Sequence, residues 1–143
     1  TKEDRMKFFT IPLMVLLSAI APAQAEQSQQ ALTPVEVVES QLEAFATGNW
    51  ELAYGYAAPE IKAMFPSPEI FETMVTNGYG YMLEPLDAAV SLVEMRESRA
   101  LVEAVFVSEK TAVDRVGYML IRGIDKQWRI SGVFPFQQKD SAV

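Results

Sequence analysis

The sequence predicts one α+β domain over residues 33–137, with three N-terminal helices packed on a curved four-stranded antiparallel sheet. Apolar residues recur at helical spacing as far as Thr76, and after Pro85 they alternate as they do in strands. The strand segments follow one another through short polar turns, which favours antiparallel pairing. Helices followed by strands are typical of an α+β domain. A polar leader, 26–32, and a C-terminal tail, 138–143, flank the predicted domain.

Each predicted helix starts at a local capping signal. A capping box over Thr33–Glu36 opens the first helix, which Gly48 ends. An Asn cap then opens a second helix over residues 50–57, and a short helical turn is expected over 59–65. A Ser-Pro start opens the third helix over residues 67–76. The first and third helices have an apolar stripe for packing on a core.

Four strands are predicted over residues 88–95, 100–108, 115–122 and 127–136. They are rich in Val, Ile and aromatic residues, and polar turns separate them. Successive strands joined by such short connections pair as a meander, which gives the helices one sheet to cover.

Both faces of the two middle strands are apolar. In the second strand Leu101 and Val105 point one way, while Val102 and Phe106 point the other way. A sheet with one solvated face alternates apolar and polar residues instead. We therefore expect the helices to cover one face and a second copy of the chain to cover the other, which predicts a homodimer through the sheet face. A helix wrapped around either side is the alternative.

The first 25 residues have the pattern of a secretory signal peptide. Met6-Lys7 supplies a basic start, an uncharged run of 14 residues covers 8–21, and Ala23 and Ala25 form an Ala-x-Ala cleavage site. The run is shorter than the roughly 20 residues that span a bilayer. We expect cleavage after Ala25, export to the periplasm or the medium, and no stable membrane insertion afterwards. A buried or permanently anchoring helix is the alternative.

The composition excludes several classes of site. The chain has no cysteine and no histidine, which rules out thiolate nucleophiles, serine–histidine pairs and the usual zinc ligand sets. The formal net charge of −7, without basic clusters, disfavours nucleic acid as a partner. The methionines form no close group that would suit Cu(I). We therefore expect no metal and no cofactor.

Short motifs along the predicted domain resemble a known family. The motifs are Val35-Glu36-Val37-Val38 with Gln41-Leu42, the segment 56–61, Phe71 with Met74-Val75 and Tyr79, and the segment 128–133. They resemble a family of small exported bacterial proteins classed as a domain of unknown function, which is similar to a branch of the nuclear-transport-factor-two-like superfamily. The resemblance covers Thr33 to Phe136. It implies a cone-shaped, cystatin-like fold with a pocket between helices and sheet, and it implies no activity.

Four residues are the ligand-pocket candidates: Tyr54, Met74, Tyr118 and Trp128. In a cone-shaped pocket a tyrosine hydroxyl donates to a ligand carbonyl, and a nearby carboxylate acts as a base. Steroid isomerases of the superfamily work this way, but no residue here matches their catalytic carboxylate. The plainer interpretation is that the two tyrosines fill the core with their hydroxyls at its edge, and that Trp128 anchors the sheet.

Asp114-Arg115 and Arg129 are a further candidate, because another branch of the resembled superfamily uses an Asp–Arg pair to open epoxides. That chemistry needs two carboxylates flanking an arginine inside a dry pocket. Asp114 falls in a predicted turn and Arg129 alternates with apolar residues, so we expect solvated or surface-paired side chains.

These observations favour a non-catalytic exported module that binds a small apolar ligand or a protein partner. No residue is predicted to be catalytic. The alternative function is a small-molecule isomerase, dehydratase or hydrolase that uses tyrosine and carboxylate groups in the pocket.

Overall fold

The computed structural model describes residues 30–109 and 112–136. The predicted signal peptide with Ala23 and Ala25, residues 26–29 of the leader and the tail over 138–143 lie outside the described residues. Within the described part of the chain, no helix is long and apolar enough to cross a membrane.

The N-terminal half folds into four short helices: α1 (Pro34–Ala46), α2 (Trp50–Gly55), α3 (Pro59–Met64) and α4 (Pro68–Gly78). A 3₁₀ turn, Gly80–Met82, follows α4. The turn expected over 59–65 thus forms a helix of its own, and the third predicted helix is α4.

The caps form as their residue types dictate. The Glu36 N–H donates to the Thr33 hydroxyl at 3.2 Å, and the Thr33 N–H donates to the Glu36 carboxylate at 2.7 Å. Asn49 and Ser67 accept in the same way from the backbone of α2 and α4. Gly48 follows α1 with a φ of 68°, the left-handed conformation that glycine adopts without strain.

The C-terminal half forms four strands: β1 (Asp87–Met95), β2 (Arg99–Val107), β3 (Val113–Arg122) and β4 (Trp128–Pro135). They make one antiparallel sheet in the order β1-β2-β3-β4. The register shifts once between β1 and β2 and once between β3 and β4, and such bulges bend and twist a sheet. The predicted α+β class with a four-stranded antiparallel sheet is confirmed.

The core lies between the helices and the inner face of the sheet. Strands β2 and β3 contribute alternate residues that are almost fully buried: Ala100, Val102, Ala104, Phe106, Val116, Tyr118 and Leu120. From the helices, Val38, Phe45, Phe71 and Val75 pack against them. Alternation along the strands therefore decides which side chains meet the helices.

The opposite face of the sheet, which we call the outer apolar face, stays partly exposed. Its apolar side chains are Leu101, Val105, Val107, Met119, Ile121, Phe134 and Phe136. The Phe134 ring lies over Gly117, where a Cβ atom would overlap it. Both faces of the middle strands are thus apolar, as the sequence predicts, and the described residues leave this one accessible.

Candidate functional site

A cavity of about 390 Å³ lies between the helices and the inner face of the sheet. Small-molecule sites are clefts of this size range, lined mainly by apolar side chains with a few polar groups. Sixteen of the described residues line it: Gln41, Phe45, Ala57, Ile61, Met64, Phe65, Phe71, Met74, Val75, Tyr79, Met82, Tyr118, Ile130, Ser131, Gly132 and Val133.

Helix α3 forms one edge of the cavity and is held at both ends. At its start the Ala58 N–H donates to the Ile130 carbonyl at 2.8 Å, and the Ile130 N–H donates to the Tyr56 carbonyl at 2.9 Å. At its end the Tyr54 hydroxyl donates to the Phe65 carbonyl at 2.7 Å. None of the six residues of α3 is itself buried. These three hydrogen bonds, together with the partly buried Ile61 side chain packed against the core, therefore keep α3 over the cavity.

An aromatic cluster forms the wall on the α4 side. The Phe71 ring lies 6.2 Å from Phe45, 6.5 Å from Trp50 and 5.6 Å from Tyr54, measured between centroids. Aromatic pairs at such separations stabilise beyond the area they bury. Met64, Met74 and Met82 complete the lining, and their unbranched side chains adapt to the shape of a guest.

Gln41 is a polar side chain buried in this apolar setting, with 3% of its surface exposed. Its Nε2 donates to the Ala53 carbonyl at 3.1 Å. Among the described residues no group donates to its Oε1 atom. Every fully enclosed side-chain oxygen or nitrogen there has a partner, so Oε1 is not fully enclosed. Since Gln41 lines the cavity, we infer that its Oε1 atom is exposed toward the cavity. The site therefore offers a hydrogen-bond acceptor to a guest.

Tyr118 is a second buried polar group on the lining. Its hydroxyl donates to the Met82 sulfur at 3.4 Å, and a thioether is a weak acceptor. Burial, together with the neighbouring Tyr81 and Tyr79, raises the pKa of the Tyr118 hydroxyl well above its usual value of 10.0. The group is therefore a neutral donor at physiological pH.

The lining has no charged side chain among the described residues. The Ser131 hydroxyl donates to the Met119 carbonyl at 3.1 Å. The described part of the chain also has no group of three carboxylates that could hold a metal ion. Chemically, the cavity can enclose a hydrocarbon body and hydrogen-bond to a polar group attached to it, and its described lining has no carboxylate that could accept a proton.

Comparison with known protein families matches residues 26–143 to the family described as domain of unknown function DUF4864. The chain belongs to this family. The match spans the whole described domain, as the sequence resemblance predicts. None of the curated proteins compared with the chain matches it.

Solved structures of similar shape are members of the NTF2-like superfamily. A Campylobacter jejuni protein, provisionally named an NTF2-like transpeptidase, matches with a TM-score of 0.50 and 12% identity, over 70% of this chain and 99% of that one. A Shewanella frigidimarina protein, provisionally named a ketosteroid isomerase, matches with a TM-score of 0.47 and 16% identity, over 68% and 89%. An NTF2-like superfamily protein from Salmonella enterica matches with a TM-score of 0.40 and 10% identity, over 76% and 92%. At 12% identity the likeness to the Campylobacter jejuni protein supports the NTF2-like fold alone, because one fold hosts many functions.

The four predicted pocket residues of this DUF4864 domain lie in different places. Met74 and Tyr118 line the cavity. Tyr54 lies behind the lining, where its hydroxyl holds the end of α3. Trp128 is buried away from the cavity, with the Arg122 guanidinium 5.9 Å from its ring. The structure thus brings two of the four together.

Sequence reasoning missed Gln41 as a site residue. A signal was present, because Gln41 lies three residues after Val38 and four before Phe45, on the apolar stripe of α1. A polar side chain at core spacing needs a buried partner or an open space beside it. The structure supplies both.

The aspartate and arginine candidates lie outside the cavity lining. Arg115 pairs with Glu103 at 2.6 Å, and Arg129 pairs with Asp125 at 2.6 Å. Hydrogen bonding to Arg129 lowers the pKa of Asp125 to about 2. Asp114, expected in a turn, belongs to β3. The two arginines thus form the surface ion pairs that the sequence favours, away from any enclosed pair of carboxylates.

Proposed function

We propose that this DUF4864 domain is a non-catalytic binding module that holds a small apolar ligand in the cavity between helices and sheet. One observation carries the proposal: twelve of the sixteen described lining residues are apolar and the other four are uncharged. A ligand that buries about 200 Å² of apolar surface gains roughly 5 kcal/mol before the cost of association. Simple probes should therefore bind weakly, with dissociation constants of about 0.2 mM or above.

The composition of the lining favours binding over the alternative of an isomerase, dehydratase or hydrolase. Those reactions need a group that takes a proton from the substrate. The chain has no histidine, and no carboxylate appears among the described lining residues. Tyr118 supplies a donor without a base to accompany it.

A neutral apolar dye tests the proposal. N-phenyl-1-naphthylamine fluoresces when it leaves water for an apolar site, and we expect saturable binding to the wild-type protein. Met74→Trp places an indole beside the cavity and should weaken binding at least tenfold. Thr76→Trp adds the same group at an exposed position of α4 and should leave binding unchanged. Equal loss in both variants, or no saturable binding to the wild type, would contradict the proposal.

We also propose that two copies associate through the outer apolar face. Its apolar side chains surround the ion pair of Glu103 with Arg115. A twofold axis passing between the two charges places each of them opposite its complement, because a twofold interface brings the same patch together from both sides. A contiguous exposed apolar patch is typical of an interaction site.

Gly132, whose backbone also lines the cavity, offers a position on the outer side of β4 at which this association can be tested. It pairs with Met119, and a Cβ atom at Gly132 meets no atom within 4 Å. Gly132→Arg should therefore leave the fold intact and abolish the dimer in sedimentation experiments. Ile124→Arg is the matched control, because Ile124 is fully exposed in the turn before β4. A wild-type protein that sediments as a monomer at tens of micromolar would refute the association.

Export is part of the proposal and is supported by the sequence of residues 1–25. Mass spectrometry of the protein recovered from its native compartment should find a mature N-terminus at Glu26. An intact N-terminus would exclude cleavage at Ala25.

A further inference from the structure

Polar groups lie at defined points of the cavity lining, and they restrict the chemical class of ligand that can bind. Gln41 donates through Nε2 to a backbone carbonyl, and this bond fixes the orientation of the amide. Its Oε1 atom is thereby left facing the cavity as an acceptor. A carbonyl oxygen without a protein donor is left to water, so a ligand that supplies one O–H or N–H takes over that hydrogen bond in a largely apolar enclosure.

Tyr118 adds an independent feature on the same lining. Its hydroxyl is fully buried and donates only to the Met82 sulfur among the described residues. A ligand oxygen is a stronger acceptor than a thioether, so the hydroxyl can turn to it. The lining thus holds one free acceptor and one weakly engaged donor.

The rest of the lining excludes an ionised ligand. Among the described lining residues there is no lysine, arginine or carboxylate to pair with an ionised ligand. An unpaired charge is strongly disfavoured in an apolar enclosure. Carboxylates, phosphates and ammonium groups therefore do not fit.

We propose that the ligand is a neutral, hydrocarbon-rich alcohol or phenol whose hydroxyl donates to the Oε1 atom of Gln41. This inference rests on the proposed binding function and names the class of ligand. The hydrocarbon body occupies the space among the aromatic and methionine side chains. The Tyr118 hydroxyl is the available donor for a ligand oxygen that reaches it.

Three probes with the same ring system test this assignment by isothermal titration calorimetry at pH 7. Naphthalene has no polar group, 2-naphthol has a neutral hydroxyl, and 2-naphthoate has a charge. We expect 2-naphthol to bind about tenfold more tightly than naphthalene, a difference of about 1.4 kcal/mol. We expect 2-naphthoate to bind at least tenfold more weakly than 2-naphthol.

The variant Gln41→Met keeps a similar volume and removes the amide. It should reduce the affinity for 2-naphthol to that for naphthalene and leave naphthalene binding unchanged. Tyr118→Phe serves as a second variant, with an expected effect on 2-naphthol no larger than that of Gln41→Met. If Gln41→Met does not fold, the order of the three probes on the wild-type protein still decides the question.

The outcomes separate this inference from the proposed function. Equal affinities for naphthalene and 2-naphthol overturn the inference and leave the apolar binding function intact. Tightest binding of 2-naphthoate overturns the neutral class. Failure of all three probes, together with failure of N-phenyl-1-naphthylamine, overturns the proposed function itself.

Discussion

Burial alone suggests that the Tyr118 hydroxyl contributes more to stability than the Tyr54 hydroxyl, and we expect the opposite. Tyr118 is fully buried, and its hydroxyl donates to the Met82 sulfur at 3.4 Å. Tyr54 is only partly buried, and its hydroxyl donates to the Phe65 carbonyl at 2.7 Å. We predict that Tyr54→Phe lowers the free energy of unfolding more than Tyr118→Phe does.

The magnitudes follow from the acceptors. Removing the Tyr54 hydroxyl breaks a short bond to a backbone carbonyl, which is worth about 0.5–1.5 kcal/mol. Removing the Tyr118 hydroxyl breaks a weak bond to sulfur and leaves a thioether that needs no donor. The loss of that bond is offset because the variant avoids the desolvation cost of burying a hydroxyl. We therefore expect a change of less than about 0.5 kcal/mol for Tyr118→Phe.

Urea unfolding at pH 7, followed by circular dichroism, measures both free energies. A loss of 1 kcal/mol lowers the melting temperature of a domain of this size by about 4–8 °C, so calorimetry provides an independent check. Tyr118→Phe in a Met82→Leu background is the control and should be less destabilising than in the wild type, because the hydroxyl there has already lost its acceptor. A loss above about 1.5 kcal/mol for Tyr118→Phe would show a strong acceptor other than the sulfur, and the reasoning would fail.

Three further outcomes are expected. Burial raises the pKa of Tyr118, so the folded state keeps this proton at a pH where the unfolded chain loses it. Its contribution to stability is complete below about pH 10 and is lost as the pH rises further, so urea unfolding at pH 8 and 10.5 should show a fall in the wild type that is smaller in Tyr118→Phe. Val75→Ile should raise the melting temperature because it extends into the cavity, whereas Val102→Ile, in closed core, should lower the free energy of unfolding by about 1 kcal/mol or more. Trp128→Ala should lower it by about 3–5 kcal/mol in urea unfolding, because the ring is 8% exposed.

The parts of the fold that depend on local chemistry could be predicted from the sequence. The starts of α1, α2 and α4 follow from Thr33, Asn49 and Ser67, whose side chains bond within their own first turn. The parts of the fold that depend on contacts between residues distant in sequence could be predicted less well. Asp114 looks like a turn residue, but it lies in β3 because its backbone pairs with Phe106 of β2.

The same division applies to the candidate site. Tyr118 could be placed on the inner face because strand alternation decides its side. The spacing places Gln41 on the apolar stripe of α1, but its position beside the cavity depends on its hydrogen bond to Ala53, twelve residues away in another helix. The position of Tyr54 behind the lining likewise depends on its bond to Phe65, eleven residues away. Periodicity gives the face of a side chain, whereas the packing between elements decides whether that face is open.

The volume of the cavity bears on whether it is empty, holds water or holds a ligand. A closed and empty void of about 390 Å³ would lower stability by about 9 kcal/mol, which is most of the stability of an ordinary domain. The lining reaches solvent through Met64, which is 68% exposed, so water enters. Water among apolar walls finds few partners, and the Oε1 atom of Gln41 is the acceptor best placed to hold it. A ligand that displaces such a water gains affinity only if it replaces the lost hydrogen bond. The hydroxyl of 2-naphthol can do so and naphthalene cannot, which is why the difference between these two probes reports on Gln41 rather than on the cavity as a whole.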